Sequence, residues 1–229
     1  MKNFAFIFAR GGSKGLPHKN IKLLAGKPLL QYSIDIAKNT SSIDKIFVST
    51  DDEDIAKIAK LNGAIVIPRP KELASDTSPE WLSWRHAIDW VEKYYGQFDG
   101  FVSLPATSPL RSIQDVEDAI AKRENEQADI CISVTPSSRS PYFNMVKKTA
   151  NGFVEIVNPP NDEVTRRQDA PSVFDITTVV YATTPKFVQN NYGLFSGQVT
   201  CIVIPKDRAV DIDDIYDFRL AEAIIMEYK

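Results

Sequence analysis

The sequence predicts an α/β protein with a mainly parallel sheet that helices cover on both faces. Three observations support this fold class. The chain has 229 residues, of which 43% are hydrophobic, so it is long and apolar enough to bury a large core. Short apolar runs alternate with segments of helical periodicity, as in strand–helix–strand units. Glycine, proline and other turn residues separate these segments.

The first half of the chain alternates between predicted strands and predicted helices. Pro28 suits the first turn of a helix, and Gly63 is placed to end one. Acidic residues open the segment at Asp51, where they favour a helix N-terminus. The predicted elements are strand Phe4–Ala9, helix Pro28–Lys38, strand Lys45–Ser49, helix Asp51–Asn62, strand Ala64–Ile67, helix Pro79–Tyr95, strand Gly100–Leu104 and helix Ile113–Glu124.

The pattern changes after about residue 128. Strand Asp129–Thr135 is followed by residues 136–175, where prolines, polar turns and weak short strands predominate. We interpret 136–175 as a dimerisation excursion within a single domain that spans 1–229. Regular elements then return as strand Thr177–Ala182, helix Pro185–Asn190, strand Thr200–Ile204 and helix Asp214–Tyr228.

Composition and charge exclude several classes of protein. The formal charge is −3 and the isoelectric point is about 5.5, which disfavours a nucleic-acid partner. The two cysteines, Cys131 and Cys201, form neither a disulfide framework nor a metal knuckle, and they suit a reducing compartment. No apolar run approaches the roughly 18 residues that span a bilayer. We therefore expect a cytoplasmic protein with no membrane partner.

The strongest motif is ARGGSKGLPHKN, residues 9–20, directly after the first predicted strand. Ligands of such sheets bind beyond the carboxyl ends of strands. Glycines allow a ligand close to the backbone, and Arg10, Lys14 and Lys19 supply three positive charges. The spacing matches neither the Walker A motif nor the Rossmann fingerprint. The loop predicts a triphosphate site of another kind; the alternative is a glycine-rich turn with solvated lysines.

An acidic motif, VDIDD, occupies residues 210–214 near the C-terminus. In an extended segment, alternation places Asp211 and Asp213 on one face. Mg²⁺ prefers one or two carboxylates together with phosphate oxygens and water. The pair predicts a Mg²⁺ site opposite the phosphate loop. The alternative is that Asp213 or Asp214 only caps the last helix.

The segment RPKELASDT, residues 69–77, follows the third predicted strand. Arg69 is a candidate donor to a nucleobase or a phosphate. Ser75, Asp76 and Thr77 are equally consistent with caps of the following helix.

The segment ATSPLR, residues 106–111, follows the fourth strand and reaches the same edge of the predicted sheet. Its hydroxyls and Arg111 suit a polar ligand. The alternative is that Ser112 caps the next helix and that Arg111 is exposed.

Taken together and in this order, these four motifs resemble those of the acylneuraminate cytidylyltransferases, the CMP-sialic acid synthetases. The resemblance covers nearly the whole chain. It implies the nucleotidyltransferase fold, a homodimer, and transfer of CMP from CTP to the anomeric hydroxyl of a nonulosonic acid, with release of pyrophosphate.

The resemblance also implies roles for individual residues. Arg10, Lys19 and Asp211 are the implied catalytic residues, and Asp211 and Asp213 are the implied Mg²⁺ ligands. Arg167 is expected to reach the sugar acid in the partner subunit's site. The implied nucleotide-binding residues are Arg10, Gly11, Gly12, Ser13, Lys14, Lys19, Asn20, Arg69 and Ala74. The implied sugar-binding residues are Thr107, Ser108, Arg111 and Arg167.

The sequence departs from the family pattern on the sugar side. The family usually has Gln-Pro before Thr-Ser-Pro-Leu-Arg, whereas this chain has Pro105 and Ala106. An Asn-Gly-Ala motif of the family is replaced around Thr177 and Thr178. The acceptor therefore stays open among sialic acids, KDN, legionaminate and Kdo-like acids. Two other classes remain as alternatives: a non-catalytic nucleotide-binding regulator and a structural dimer module.

Overall fold

The computed structural model describes residues 1–159 and 166–227, with the side chain of Arg167 left out. The helices are α1 (Leu29–Asn39), α2 (Glu53–Leu61), α3 (Glu80–Tyr95), α4 (Ile113–Asn125), α5 (Pro185–Asn190) and α6 (Ile215–Glu227). The strands are β1 (Asn3–Phe8), β2 (Leu23–Leu24), β3 (Lys27–Pro28), β4 (Lys45–Thr50), β5 (Ile65–Pro68), β6 (Gly100–Ser103), β7 (Ile130–Pro136), β8 (Val146–Lys148), β9 (Val154–Ile156), β10 (Phe174–Thr183) and β11 (Val199–Val203).

Seven of these strands form one central sheet in the order β11-β7-β10-β6-β1-β4-β5. Strand β1 pairs in parallel with β4 and β6, and β5 and β11 extend the sheet in parallel at its two edges. Only β10 runs antiparallel to its neighbours β6 and β7. The mainly parallel α/β fold class predicted from the sequence is confirmed.

Helices cover both faces of the sheet because alternate strand residues point to opposite sides. In β1, Ala5 and Ile7 belong to the core cluster beneath α1, α2 and α4. Phe4 and Phe6 belong to the cluster beneath α3 and α5. Strands that are buried on both faces form continuous apolar runs in the sequence, as is typical of parallel sheets.

The second face is aromatic. The ring of Phe6 stacks on Phe101 at a centroid distance of 4.4 Å and on Phe47 at 5.4 Å. Trp84 of α3 is also buried in this cluster, 5.1 Å from Phe101. Trp84 is therefore part of the core of this face.

Strand β10 is irregular where it passes the edge that carries the candidate site. Its pairing with β7 shifts register between Thr177 and Tyr181. The Ser133 hydroxyl lies in this irregularity: it accepts from the Val180 amide at 3.0 Å and donates to carbonyl oxygens of β10. Such bulges redirect side chains, and here the irregularity includes Thr178.

The C-terminal helix packs against the loop that follows β1. Leu16 and Leu24 form a third apolar cluster with Ile212 and with Phe218 of α6. This cluster brings the segment around residues 211–214 next to the glycine-rich loop, although the two are almost two hundred residues apart in the sequence.

Two short hairpins are absent from the sequence prediction. Strands β2 and β3 pair through a turn in which Ala25 and Gly26 both have positive φ, so α1 begins at Leu29 rather than at Pro28. Strands β8 and β9 form the second hairpin inside the 136–175 excursion. Tyr228, predicted as the end of the last helix, lies outside the described residues.

The excursion carries exposed apolar side chains, among them Phe153, which is 73% exposed, and Val154, which is 60% exposed. Within the described ranges, every helix is too short or too polar to span a bilayer.

Replacing Phe6 by alanine tests the aromatic face. The ring is 1% exposed, so its removal leaves a cavity between β1 and α3. We expect the free energy of unfolding to fall by about 3–5 kcal/mol, measured by urea denaturation. Tyr216→Ala is the control, because that side chain is 74% exposed and should cost little. Equal losses in the two variants would contradict the assigned core.

Candidate functional site

A cleft of about 600 Å³ opens at the carboxyl ends of β1, β5 and β6. This is the edge where ligands bind in open α/β sheets. The structure brings residues from four separate sequence motifs into its lining. The predicted site residues that line it are Arg10, Ser13, Lys14, Lys19, Asn20, Arg69, Thr107 and Asp213.

Two glycines of the loop are required by close packing of the backbone. A Cβ atom on Gly15 would lie 2.3 Å from the carbonyl oxygen of Asp213, and one on Gly11 would lie 2.7 Å from a carboxylate oxygen of Asp52. The Gly11 amide also donates to Asp51 at 3.1 Å. Gly12, in contrast, faces open space. The loop is therefore held against both the end of β4 and the acidic segment.

Lys19 joins the phosphate loop to the acidic segment. Its buried ammonium donates to the Ile212 carbonyl, and it lies 3.4 Å from the Asp213 carboxylate. Asn20 donates to the Arg10 carbonyl at 3.0 Å, which fixes the start of the loop against its end. The Asp213 side chain is 80% exposed and lines the cleft.

Arg10 and Lys14 share one carboxylate across the cleft. Arg10 lies 2.8 Å from Asp76 and Lys14 lies 2.5 Å from it. Arg10 also donates to the carbonyl of Ala74 at 3.3 Å. These two ion pairs link the loop after β1 to the segment after β5. Ala74 adds a hydrogen bond to this link through its backbone carbonyl.

Arg69 forms part of the opposite wall. Its Nε donates to the Ser49 hydroxyl at 3.1 Å, and one terminal nitrogen donates to the Ser49 carbonyl at 2.8 Å. The guanidinium also lies over the Phe8 ring, 5.5 Å from its centroid. Burial lowers the pKa of Arg69 to about 10, which leaves it charged at neutral pH. This fixed guanidinium is a donor presented to the cleft.

Asp211 is not one of the residues that line the cleft, but its carboxylate accepts a hydrogen bond from Thr107, which does line it. Burial raises the pKa of its carboxyl group, hydrogen bonds from Thr107 and Thr178 oppose this effect, and the charge of Asp213 adds to it. Its Oδ1 is buried and has no hydrogen-bond partner. A buried carboxylate oxygen without a partner costs free energy, which a cation would recover.

The capping alternative is right for Asp214 and not for Asp213. Asp214 accepts from the amides of Tyr216 and Asp217 at the start of α6, at 2.7 and 3.1 Å. Asp211 and Asp213 are therefore available for other roles. Among the described residues, no group of three or more His, Cys, Asp or Glu side chains could hold a metal ion. Mg²⁺ fits the pair nonetheless, because it takes its remaining ligands from phosphates and water.

The predicted sugar-binding residues separate into two groups. Thr107 lines the cleft, whereas Ser108 is buried and lies 2.6 Å from the Thr178 hydroxyl. Arg111 is also buried; it donates to the Ser33 hydroxyl at 2.6 Å and to the Pro105 carbonyl, and burial lowers its pKa to about 9. Arg111 therefore braces the loop after β6 from behind instead of facing the cleft.

The helix-cap alternative for this loop is half right. Ser112 caps α4 in a capping box with Asp115, as that alternative expected. Arg111 is not exposed, because the loop folds over its guanidinium. Arg167 begins a short 3₁₀ turn, and its side chain lies outside what the structure describes, so its predicted role stays a prediction.

Glu80 is a cleft residue that the sequence did not single out. It lies in the first turn of α3, which is capped at Pro79 with no side-chain bond, so Ser75, Asp76 and Thr77 do not cap the helix. Glu80 is exposed as a whole residue, yet desolvation of its carboxyl group within the cleft raises its pKa, and the charge of Arg69 opposes this. A glutamate is common in the first turn of a helix because its charge interacts favourably with the helix dipole. The sequence therefore gave no signal that Glu80 lines the cleft.

The fold and this cleft define a nucleotide-processing α/β enzyme, and comparison with known proteins gives the family. The sequence model of the family described as "Cytidylyltransferase" matches residues 4–219. The chain belongs to this family. Over its whole length it also superposes on a CMP:2-keto-3-deoxy-manno-octonic acid synthetase complexed with CTP, with a TM-score of 0.75 and 16% sequence identity, which confirms the nucleotidyltransferase fold.

Curated relatives cover nearly the whole chain. The chain is 35% identical to the post-translational flagellin modification protein B of Campylobacter coli, over 96% of this chain and 94% of the relative. It is 32% identical to the CMP-N,N'-diacetyllegionaminic acid synthase of Campylobacter jejuni, over 96% and 93% respectively. It is 30% identical to the pseudaminic acid cytidylyltransferase of the same species, over 98% and 96%.

Replacing Glu80 by glutamine tests the electrostatics of the cleft. Because the folded-state pKa is raised, the wild type loses stability as the pH rises through that pKa, and the amide does not. The free energy of unfolding of Glu80→Gln minus that of the wild type should therefore be larger at about pH 8 than at about pH 4, which is near the ordinary glutamate pKa. Urea unfolding at the two pH values measures this. Glu72→Gln, on an exposed turn, is the control, and a difference independent of pH would contradict the assignment.

Proposed function

We propose that this protein transfers CMP from CTP to the anomeric hydroxyl of a nonulosonic acid and releases pyrophosphate. The observation that carries the proposal is the meeting of the cationic loop and Asp213 at one cleft, with Asp211 bonded to Thr107 of the lining, in a chain of the cytidylyltransferase family. The relatives named for CMP-legionaminate and pseudaminate synthesis support an acceptor of this class.

The phosphate groups belong at the loop after β1. Arg10, Lys14 and Lys19 line the cleft and offer three cations to phosphate oxygens. In phosphoryl transfer the developing charge is spread over phosphate oxygens, so catalysis is mostly positioning and neutralisation. These residues would hold the β- and γ-phosphates and stabilise the departing pyrophosphate.

The nucleoside belongs against the opposite wall. Arg69 is fixed by Ser49, and it faces the cleft beside the segment that includes Ala74. A rigid guanidinium distinguishes a ring carbonyl from a ring amine because it only donates hydrogen bonds. We assign Arg69 and the backbone near Ala74 to the cytosine and ribose.

Asp211 and Asp213 would hold Mg²⁺. Bound there, the ion would supply charge neutralisation at the phosphates and lower the pKa of a coordinated hydroxyl. The unpartnered Oδ1 of Asp211 and the exposed carboxylate of Asp213 fit a cation that takes oxygen ligands. Thr107 and Thr178 orient Asp211 by hydrogen bonds to its carboxylate.

The chemical step is an in-line displacement at the α-phosphorus. The anomeric oxygen of the acceptor forms the new P–O bond, the bond between the α-phosphorus and the bridging oxygen breaks, and the hydroxyl proton passes to solvent. Thr107, in the loop after β6, lines the cleft, and we assign it to the acceptor. Since Ser108 and Arg111 are buried, they act by holding this loop in place.

A pyrophosphate-release assay tests the proposal. The protein is incubated with CTP, magnesium and a panel of acids: legionaminic, pseudaminic and N-acetylneuraminic acid, KDN and Kdo. We expect turnover with at least one nonulosonic acid and none without an acceptor. Asp211→Asn should lower kcat by about a hundredfold or more, because the site loses a charged ligand.

Asp214→Asn is the matched control for that assay. It removes one carboxylate three positions away, and asparagine still caps α6. Its turnover should stay close to that of the wild type. Near-normal turnover of a folded Asp211→Asn variant would refute the role of Asp211. CTP binding without turnover on any acid would instead favour a nucleotide-binding regulator.

We further propose that the chain forms a homodimer through the 136–175 excursion and works in the cytoplasm. The exposed apolar side chains of the β8–β9 hairpin support the first point, since Met145, Val146, Phe153 and Val154 are each more than 40% exposed. In this arrangement the excursion would carry Arg167 towards the partner subunit's cleft.

Sedimentation equilibrium tests the dimer. We expect the wild type to sediment as a dimer and Phe153→Glu to shift towards monomer, because a buried carboxylate at an apolar interface is costly. Leu61→Glu is the control: this side chain is 86% exposed at the end of α2, away from the excursion. A monomeric wild type, or a Phe153→Glu variant that stays dimeric, would contradict the interface.

A further inference from the structure

The Asp76 carboxylate forms ion pairs with two cationic side chains of the cleft, Arg10 and Lys14. One of its oxygens lies 2.8 Å from Arg10, and the other lies 2.5 Å from Lys14. Both oxygens are thus engaged by side chains of the loop that carries the phosphate site. All three residues line the same cleft.

Asp76 has no evident part in the fold. It follows the 3₁₀ turn at Lys71–Ala74 and precedes α3, but it does not cap that helix. In the part of the chain that the structure describes, the recorded partners of its carboxylate are Arg10 and Lys14. Its side chain is 39% exposed, and that of Lys14 is 79% exposed. The contact therefore joins solvent-accessible groups at a ligand site rather than core elements.

Exposed ion pairs of this kind are weak and exchange readily. A triphosphate carries several negative charges, whereas Asp76 carries one. Lys14 and then Arg10 hold the pKa of Asp76 below its usual range, so the carboxylate is ionised at neutral pH. If phosphate oxygens bind Arg10 and Lys14, Asp76 must give up both cations, and its charge then lies close to the phosphates.

We propose that Asp76 is an internal competitor that sets the affinity of the cleft for polyphosphate. It occupies Arg10 and Lys14 in the empty cleft, a polyphosphate displaces it by outnumbering its charge, and it regains the cations as pyrophosphate leaves. The residue thereby lowers the affinity for ligands that carry a polyphosphate and leaves the affinity for uncharged nucleosides unchanged. This inference rests on the proposed function for the place of the phosphates.

Isothermal titration calorimetry of Asp76→Asn tests the inference. Asparagine keeps the shape of the side chain and removes its charge. We expect CTP and inorganic pyrophosphate to bind about two- to fivefold more tightly than to the wild type, in keeping with the weakness of an exposed ion pair. Cytidine, which has no phosphate, should bind both proteins equally.

A second variant and a control isolate the cause. In a Lys14→Gln background, adding Asp76→Asn should give a smaller gain, because one of the contested cations is gone. Asp54→Asn is the matched control: Asp54 also pairs with a lysine, Lys57 at 2.9 Å, but on the exposed surface of α2. It should leave all three affinities unchanged. Thermal unfolding of each variant checks that it is folded.

The outcomes separate this inference from the proposed function. Unchanged or weaker binding of CTP and pyrophosphate to folded Asp76→Asn would overturn the inference. Weaker binding of cytidine as well would place Asp76 at the nucleoside. A wild type that binds pyrophosphate but not CTP would count against the proposed function, and the pyrophosphate comparison would still test Asp76.

Discussion

The ammonium group of Lys19 holds together two segments that lie at opposite ends of the chain. It is buried, it donates to the Ile212 carbonyl, and it lies beside the Asp213 carboxylate. The approach is so close that Gly15 has no room for a side chain. A buried ammonium needs such partners because an unpaired charge in the interior is very costly. The loop after β1 and the acidic segment must therefore adopt their positions together.

This contact gives the cleft its distribution of charge. Arg10, Lys14 and Lys19 of the loop line the cleft together with Arg69 and with the carboxylates of Asp76, Glu80 and Asp213. The polarity is local, since the chain as a whole is slightly acidic. Two of the groups at or beside the cleft lie in an environment that disfavours their charge: burial raises the pKa of Asp211 and lowers that of Arg69. Perturbed groups gathered in one cleft are typical of functional sites.

Strand β10, which runs antiparallel to its neighbours in the central sheet, affects the surroundings of Asp211. Because β10 runs against its neighbours, its irregular segment places Thr178 beside Ser108 and Asp211. Here the chain also departs from the usual pattern of the acylneuraminate enzymes. Hydroxyl groups now orient the acidic residue and the loop after β6, while Arg111 braces that loop from behind. The departures from that pattern lie at Pro105 and Ala106 and around Thr177 and Thr178.

The sequence by itself determined the fold class, the order of nearly all helices and sheet strands, and the four motifs, because hydrophobic periodicity, caps and glycine loops are local signals. It could not place the two short hairpins, since such strands are too short for a period of two to register. It could not distinguish Arg111 as a brace from Arg111 as a ligand residue, because burial depends on the loop that folds over it. Glu80 resembled an ordinary first-turn glutamate, and Asp76 resembled a helix cap until the structure showed that α3 begins at Glu80, directly after Pro79, with no side-chain cap. Only the tertiary structure decided which charges meet, because Lys19 and Asp213 are brought together by the apolar contact of α6 with the loop.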